Sequence, residues 1–536
     1  MIHLHVHTNF SLLQGTIRIE ALIQTCVKQN IKSIALTDTN AMNGLVQFAK
    51  QASECKINPI LGSCITDPED EKGYIILLAK NNEGYSDLCK IITQRKLNDD
   101  FSILNILSQV WKNLFIITPF IEFLEKVNKN NSVYAEIIST KTNKKNSLKT
   151  YQFAIEKNIP IVATNPIYFL KEEDYEIHRL VTAIRLNKTI DTLNENDLVD
   201  EDYYLKDQSD IEKIFKKIPS ALSNSEVIAN QCKVDLRFGE YKYPKFISAK
   251  NENIPLLLSQ IVNEGLEKKY SPITKKITDR LNSELEVIKD QHLSDYFLIV
   301  WDIVNEAKKR GMMFIGRGSA GNSLVAYCLG FTQIDPIKHS LYFERFMNKA
   351  RKSVPDIDID FSWKERDEIV KYVFEKYGFD KVAMISTTIT FRARSAFRET
   401  AKAFGISERE ISKYSKLIPW TNAVNLPNVT TNFPESRSLG FDKEPWKTIV
   451  DLASKIGNFP RHLSIHPSGI VITPNKITEY CALEYAKNKG LGLIITQPDM
   501  YSIEDLGLIK IDLLSQRSLG VLRDTMEVLN KKEKNI

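Results

Sequence analysis

The sequence predicts a multidomain chain of mixed α/β and α+β class, and three observations predict it. At 536 residues it exceeds one compact domain of roughly 150 residues. Short apolar runs alternate with helical patterns over the first 180 residues. A long helical stretch then leads into a strand that carries alternate aspartates. Hydrophobic residues make up 43% and charged residues 26%, enough apolar material for several cores.

Taken in order, residues 2–6 read as a strand, 19–29 as a helix, 33–37 as a strand, 45–55 as a helix and 57–62 as a strand. This rhythm implies parallel strands, and it continues through 74–79, 114–118 and 159–164. Residues 180–250 are charged, with short helical pieces, and 241–246 read as a connector. From 259 to 311 the chain is mostly helical. Phe297, Val300, Ile303, Val304 and Ala307 fall at helical spacing, and Gly311 follows as a stop. Residues 376–415 return to helix. There Gly405 ends one helix and Ser407 with Glu410 opens the next. Residues 420–445 carry Pro and Asn and read as loop.

A net charge of +5 permits nucleic-acid binding without arguing for it, because a local basic groove hides easily in a balanced total. The seven cysteines form no CxxC pair, which fits reduced thiols and excludes a disulfide framework or a zinc ribbon. No secretory leader and no run of about 18 apolar residues is present, so the expectation is a cytoplasmic protein with no membrane partner.

Two motifs carry chemistry. In Pro355-Asp356-Ile357-Asp358-Ile359-Asp360-Phe361 the carboxylates recur at strand period two, so Asp356, Asp358 and Asp360 share one face while the isoleucines face a core. Like charges at this density repel unless a cation lies between them, and hard oxygen ligands suit Mg²⁺. The alternative is an edge strand using charge against aggregation. In Gly316-Arg317-Gly318-Ser319-Ala320-Gly321-Asn322-Ser323 the small residues let backbone N–H groups approach an anion ahead of a helical run, 324–329. Arg317 adds a guanidinium fork for phosphate. An ordinary Gly-rich turn is the alternative, and Gly-Lys-Ser/Thr of a Walker loop is absent. About 35 residues separate the two motifs. Together they suit metal-assisted phosphoryl or nucleotidyl transfer.

From Gly316 to Phe361, with Phe343-Glu344-Arg345-Phe346 between, the chain resembles the palm of the bacterial DNA polymerase III α subunit, a C-family DNA polymerase. The resemblance extends to the helix at 294–302, to Arg461-His462-Leu463-Ser464-Ile465-His466-Pro467-Ser468-Gly469 and to Leu508-Ile509-Lys510-Ile511-Asp512-Leu513-Leu514. It implies a polymerase-β-like nucleotidyltransferase palm with a helical thumb, acting as a DNA-directed DNA polymerase on primer–template DNA and dNTPs. Its catalytic, Mg²⁺-holding aspartates map to Asp358, Asp360 and Asp512, with Asp356 kept open because the triplet shares a face. Two Mg²⁺ ions are implied. Arg317, Gly318, Ser319 and Lys510 are the implied phosphate contacts. Arg394 and Arg398 come from a stripe with Lys402 at i, i+4, i+8, which is otherwise a solvated amphipathic face, and are the implied DNA or dNTP contacts.

The N-terminus, His3-Leu4-His5-Val6-His7, resembles a PHP domain, a distorted βα barrel that holds a metal cluster in its active members. Most of the implied ligands are replaced, in Leu12-Leu13-Gln14-Gly15, Thr37-Asp38-Thr39, Cys64, Tyr74 and Pro166-Ile167-Tyr168. No full cluster is expected, with His5 and His7 as vestigial metal ligands and nuclease or phosphoesterase activity as a minor alternative. The resemblance divides the chain into a PHP-like domain (1–180), a connector (181–255), first palm (256–375), thumb and loop (376–455) and second palm (456–536). Only 24 residues follow Asp512, so fingers and the segments that meet the sliding clamp and other polymerase subunits are expected to lie elsewhere, and a non-catalytic or split module is the alternative. A replicative and an error-prone role both stay open.

Overall fold

A computed structural model describes residues 1–68, 73–248, 253–348, 354–486 and 493–533. The first sheet contains β1 (Ser33–Leu36), β2 (Asn58–Thr66), β3 (Tyr74–Ala79), β4 (Leu114–Thr118), β5 (Ser132–Ile138) and β6 (Ile161–Thr164), in that spatial order. β1/β2, β4/β5 and β5/β6 pair parallel, but β2/β3 and β3/β4 pair antiparallel. This corrects the all-parallel expectation. Only residues 67–73 join β2 to β3, and a parallel return needs a crossover of roughly a dozen residues.

Residues 2–6, expected as a strand, make only isolated bridges. His3 pairs beside Ile34 and Val6 beside Ile167, so this one segment touches both ends of the sheet. Backbone bonds from Ala35 N to His3 O and from His7 N to Ile167 O draw those ends together. The sheet is thereby curled toward closure, with the N-terminal segment at its seam.

The second sheet contains β7 (Phe314–Arg317), β8 (Asp358–Ser362), β9 (Val382–Thr390), β10 (Pro460–Ile472), β11 (Leu483–Tyr485), β12 (Ile494–Asp499) and β13 (Lys510–Gln516). Its order is β11-β12-β9-β10-β13-β8-β7. One face packs Ile357, Ile359, Phe361, Ile511 and Leu513 against helix Ser294–Lys309, whose Phe297, Val300, Ile303 and Val304 are fully buried. That helix ends where expected, with Gly311 at φ +67°.

Between β9 and β10 a helical region builds a separate core around Phe397, Ile411, Trp446 and Ile449. Residues 420–445, expected as loop, include the short helical turns Ala423–Asn428, Val429–Asn432 and Pro434–Ser436. Helix Tyr175–Leu186 adds Leu180, Val181 and Ala183 to this core. The first domain abuts the second sheet through Gln497, whose side chain accepts from Met42 N at 2.8 Å, and through Lys50–Asp505 at 2.6 Å. No helix among the described residues is long and apolar enough to cross a membrane.

Candidate active site on the seven-stranded sheet

Register decides which carboxylates meet. β13 runs parallel to β8 with Asp512 opposite Asp358, and β7 runs antiparallel with Arg317 opposite Asp358. Carboxylate oxygens of Asp356, Asp358 and Asp512 lie within 4.8 Å of one another. Asp360 lies outside that group, unlike the pairing with Asp358 expected from the resemblance. Its side chain is only 3% exposed; Arg317 Nε donates to Oδ1 at 2.9 Å and Gln516 Nε2 to Oδ2 at 2.8 Å. The strand dives inward from Asp356, so the third aspartate is spent anchoring Arg317, while the first reaches the cluster.

Two cations hold the acids in place. Lys510 Nζ lies 2.6 Å from Asp512 Oδ2 and 3.6 Å from Asp356 Oδ2. Burial works against the Lys510 charge, but the bond to Asp512 and the field of Asp356 outweigh it and raise its pKa. Arg317 reaches Asp358 at 3.9 Å. The Asp358 carboxyl is nonetheless pushed up, first by burial and then by its neighbour Asp356, with Arg317 opposing. Ser468 Oγ donates to Asp512 Oδ1 at 2.6 Å and fixes its orientation.

The Gly-Ser loop sits at the edge of this cluster. Gly318 has φ +75°, and a Cβ there would stand 3.3 Å from Asp358 Oδ2, so glycine suits both the turn and the close approach. Ser319 is half-buried and lies in the short turn Gly318–Asn322. Ser323 caps helix Leu324–Leu329 and donates to Glu284 Oε2 at 2.8 Å. Glu284 is fully buried. It also accepts from Val325 N at 3.1 Å and from Arg280 Nε at 2.6 Å, while Arg280 donates to the carbonyls of Asn322 and Leu341.

Arg394 and Arg398 stand apart from the acids, in the helical region. Arg394 Nε donates to Ile418 O at 2.5 Å. Arg398 pairs with Glu408 and approaches Ser415 Oγ at 3.3 Å.

The N-terminal cleft gathers a second set. His5 Nδ1 lies 2.8 Å from Glu136 Oε1, and Glu136 also accepts from Thr164 and Tyr74. Burial disfavours the Glu136 charge, yet His5 and these bonds hold its pKa below the ordinary value. Both oxygens of Asp38 are taken by Thr8 and Ser11. Tyr168 stacks on His7 at 4.0 Å and Tyr74 lies 5.3 Å from His5. The residues present therefore do not fit a multinuclear cluster: the acids are spent internally and aromatic rings stand where further ligands are implied. His5, His7 and Cys64 alone form a group of ligand atoms within 4.8 Å among the described residues of this cleft.

Sequence reasoning missed Ser468, Gln516, Arg280, Glu284 and Glu136 as contributors. Glu284 had a signal, since it falls on the stripe Ile277, Leu281, Ile288 that faces a core.

Comparison with known proteins covers both halves. The profile of the bacterial DNA polymerase III alpha NTPase domain matches residues 256–515, and that of the PHP domain matches residues 3–158. A DNA polymerase III subunit alpha of Bacillus subtilis is 34% identical over 99% of this chain and 50% of its own. An error-prone DNA polymerase of Symbiobacterium thermophilum is 32% identical over 98% and 52%. A DNA polymerase III subunit alpha of Buchnera aphidicola is 32% identical over 99% and 49%. The chain thus spans about half the length of the curated relatives it matches.

Proposed function

Because the chain belongs to the bacterial DNA polymerase III α family, we propose that its seven-stranded sheet is the palm of a DNA-directed DNA polymerase and the helical region between β9 and β10 its thumb. The reaction is template-directed transfer of a dNTP to a primer 3′-hydroxyl. Primer–template DNA and dNTPs are the substrates, and the sliding clamp and other polymerase subunits are partners of the whole protein in the cytoplasm. The same reading divides the chain at 1–180, 181–255, 256–375, 376–455 and 456–536, except that β9 (Val382–Thr390), inside the span expected as thumb, belongs to the seven-stranded sheet.

The observation that carries it is the convergence of Asp356, Asp358 and Asp512 from separate strands beside a glycine–serine turn. These three acids fit divalent ions, because oxygen donors at this density repel one another until a cation neutralises them. Two Mg²⁺ held there would lower the pKa of the 3′-hydroxyl and neutralise charge on the phosphates. Asp360 takes a supporting role in this assignment, fixing the Arg317 stem. Arg317, Ser319 and the Gly318 backbone grip the phosphate tail. Lys510 restrains Asp512 and Asp356 before substrate arrives, then turns its ammonium to the phosphates. Arg394 and Arg398 reach DNA or dNTP phosphates by exchanging contacts with the neighbouring helix, Glu408 above all.

Mn²⁺ titration followed by water-proton relaxation, with primer extension alongside, tests the assignment. Asp512→Asn and Asp356→Asn should each weaken Mn²⁺ binding and abolish extension, whereas Asp360→Asn should retain Mn²⁺ binding. Unchanged Mn²⁺ affinity in Asp512→Asn would overturn it.

A further inference from the structure

The first turn of helix Leu324–Leu329 carries backbone N–H groups without helical partners, and it already faces an anion from the chain itself. Glu284, on helix Lys275–Asp290, is fully buried, and its Oε2 accepts from Ser323 Oγ at 2.8 Å and from Val325 N at 3.1 Å. Burial pushes the Glu284 carboxyl up, and the bonds from Arg280 and from the start of the helix oppose that push. These donors belong to the scaffold, so an external anion meets the loop upstream of them, between Arg317 and Ser319.

Arg280 carries the connection onward. Its Nε donates to Glu284 Oε1 at 2.6 Å, which fixes the plane of the guanidinium. The two protons of Nη2 then go to Asn322 O at 3.0 Å and to Leu341 O at 3.2 Å. Asn322 closes the Gly-Ser turn, its Nδ2 donating to Ser319 O at 2.9 Å. Leu341 leads into the turn Phe343–Arg345, whose Phe343 ring centre lies 5.9 Å from the guanidinium carbon. One side chain, aligned by a buried acid, thus ties a helix to the end of the loop and to a second segment. The bonds run from Glu284 through Arg280 and Asn322 to Ser319, next to Gly318 at the edge of the aspartates.

We propose that Arg280 and Glu284 are positioning residues for the phosphate tail of the incoming nucleotide: they hold the loop that grips it and touch no substrate themselves. The proposal rests on the polymerase reading of the second sheet. A buried ion pair adds little net stability over apolar residues of the same size, so what this one contributes is geometry. Lysine at 280 keeps a cation beside Glu284, but its single nitrogen cannot stand at the positions of both Nε and Nη2. The loop end is then released while the buried acid stays paired. The tail is gripped alike before and during the reaction, so a loosened loop weakens uniform binding, raising KM for dNTP and sparing kcat.

The test uses the full chain with Mg²⁺, a primed template that calls for dATP, and dATP as the varied substrate. Arg280→Lys should raise KM about five- to tenfold with kcat within about twofold of the parent. Mn²⁺ affinity should not change, because the aspartates are untouched. Amide hydrogen exchange should quicken in peptides spanning 318–325. The double variant Arg280→Met with Glu284→Gln leaves no buried unpaired charge and should show the same split, which covers the case of Arg280→Lys failing to fold. Glu136→Gln loosens a different buried carboxylate, in the first domain, and should keep the parent KM, which separates positioning from general destabilisation. A folded Arg280→Lys or double variant with the parent KM and parent exchange rates overturns the proposal, and so does one that loses kcat while KM stays. A parent chain that extends no primer strikes the polymerase reading instead. The exchange rates then decide the brace alone, and unchanged rates in Arg280→Lys overturn that too.

Discussion

In the N-terminal cleft Glu136 is fully buried and receives bonds from His5, Thr164 and Tyr74, whereas on the second sheet Asp358 keeps about a fifth of its side chain exposed and faces two more carboxylates. Environment moves the two acids in opposite directions: Glu136 is held below its ordinary pKa and Asp358 is pushed above it. An acid with every oxygen satisfied is part of the scaffold. An acid left among like charges, restrained only by the half-exposed Arg317 and by Lys510, is poised for a cation from solution. On the proposed function, the contrast separates a closed structural centre from one that exchanges ions and substrate.

The largest expected effect breaks the comparison at Asp358. Asp358→Asn should cut primer extension by roughly 10³-fold or more, about 4 kcal/mol of transition-state stabilisation. Its stability should move the other way. The folded pKa is raised, so ionising Asp358 destabilises the fold once pH exceeds that value, and this penalty is absent below the unfolded value. Without divalent ions, the asparagine variant should therefore be more stable than the parent chain at neutral pH in a denaturant titration. Glu136→Gln should show the reverse pattern. The lowered pKa means its stabilisation is present above the unfolded value and lost as pH falls through the folded one. Removing one partner of this buried pair should cost about 3 kcal/mol at neutral pH, with little change in Mn²⁺ binding at the second sheet. Equal destabilisation by both substitutions would erase the distinction.

This contrast was only partly legible in the sequence. Strands β3 and β4 lie where apolar runs between polar breaks put them, because one local pattern suffices. β5 escaped notice since Glu136 interrupts its apolar character, and only Thr164, His5 and Tyr74, from distant parts of the chain, make that charge tolerable. The triplet of aspartates was visible, but period two assigns all three to one face. That Asp356 groups with Asp358 and Asp512 while Asp360 does not depends on the register of β13 and on Gln516, 156 residues further along, taking one oxygen of Asp360. Contacts of that range leave no local trace.

Lys510 sharpens the comparison at an intermediate level. Its ammonium lowers the Asp358 pKa and bonds Asp512 directly. Lys510→Met should therefore move the acid limb of the extension–pH profile to higher pH. If Lys510 contacts phosphate as proposed, the substitution should also lower dNTP efficiency about tenfold. An unmoved acid limb would mean that Asp358 does not govern it.

The smallest effect belongs to Ser468, which neither carries charge nor belongs to the ligand group. Its hydroxyl holds Asp512 Oδ1 at 2.6 Å from β10, where Gly469 pairs with Asp512 across the strands. Ser468→Ala removes one hydrogen bond to a charged acceptor, worth about 1.5–3 kcal/mol if left unreplaced. Asp512 Oδ2 keeps Lys510, however, and its side chain is 7% exposed, so water can take part of the vacated position. The net loss in extension should be a few fold, roughly 1 kcal/mol, with the pH profile unchanged because no charge is removed. The double variant Ser468→Ala with Lys510→Met frees both oxygens of Asp512. It should lose more than the two single variants summed, because an acid restrained at neither oxygen no longer points at its neighbours. Strict additivity would show that the strand alone, without its side-chain restraints, holds Asp512 in place.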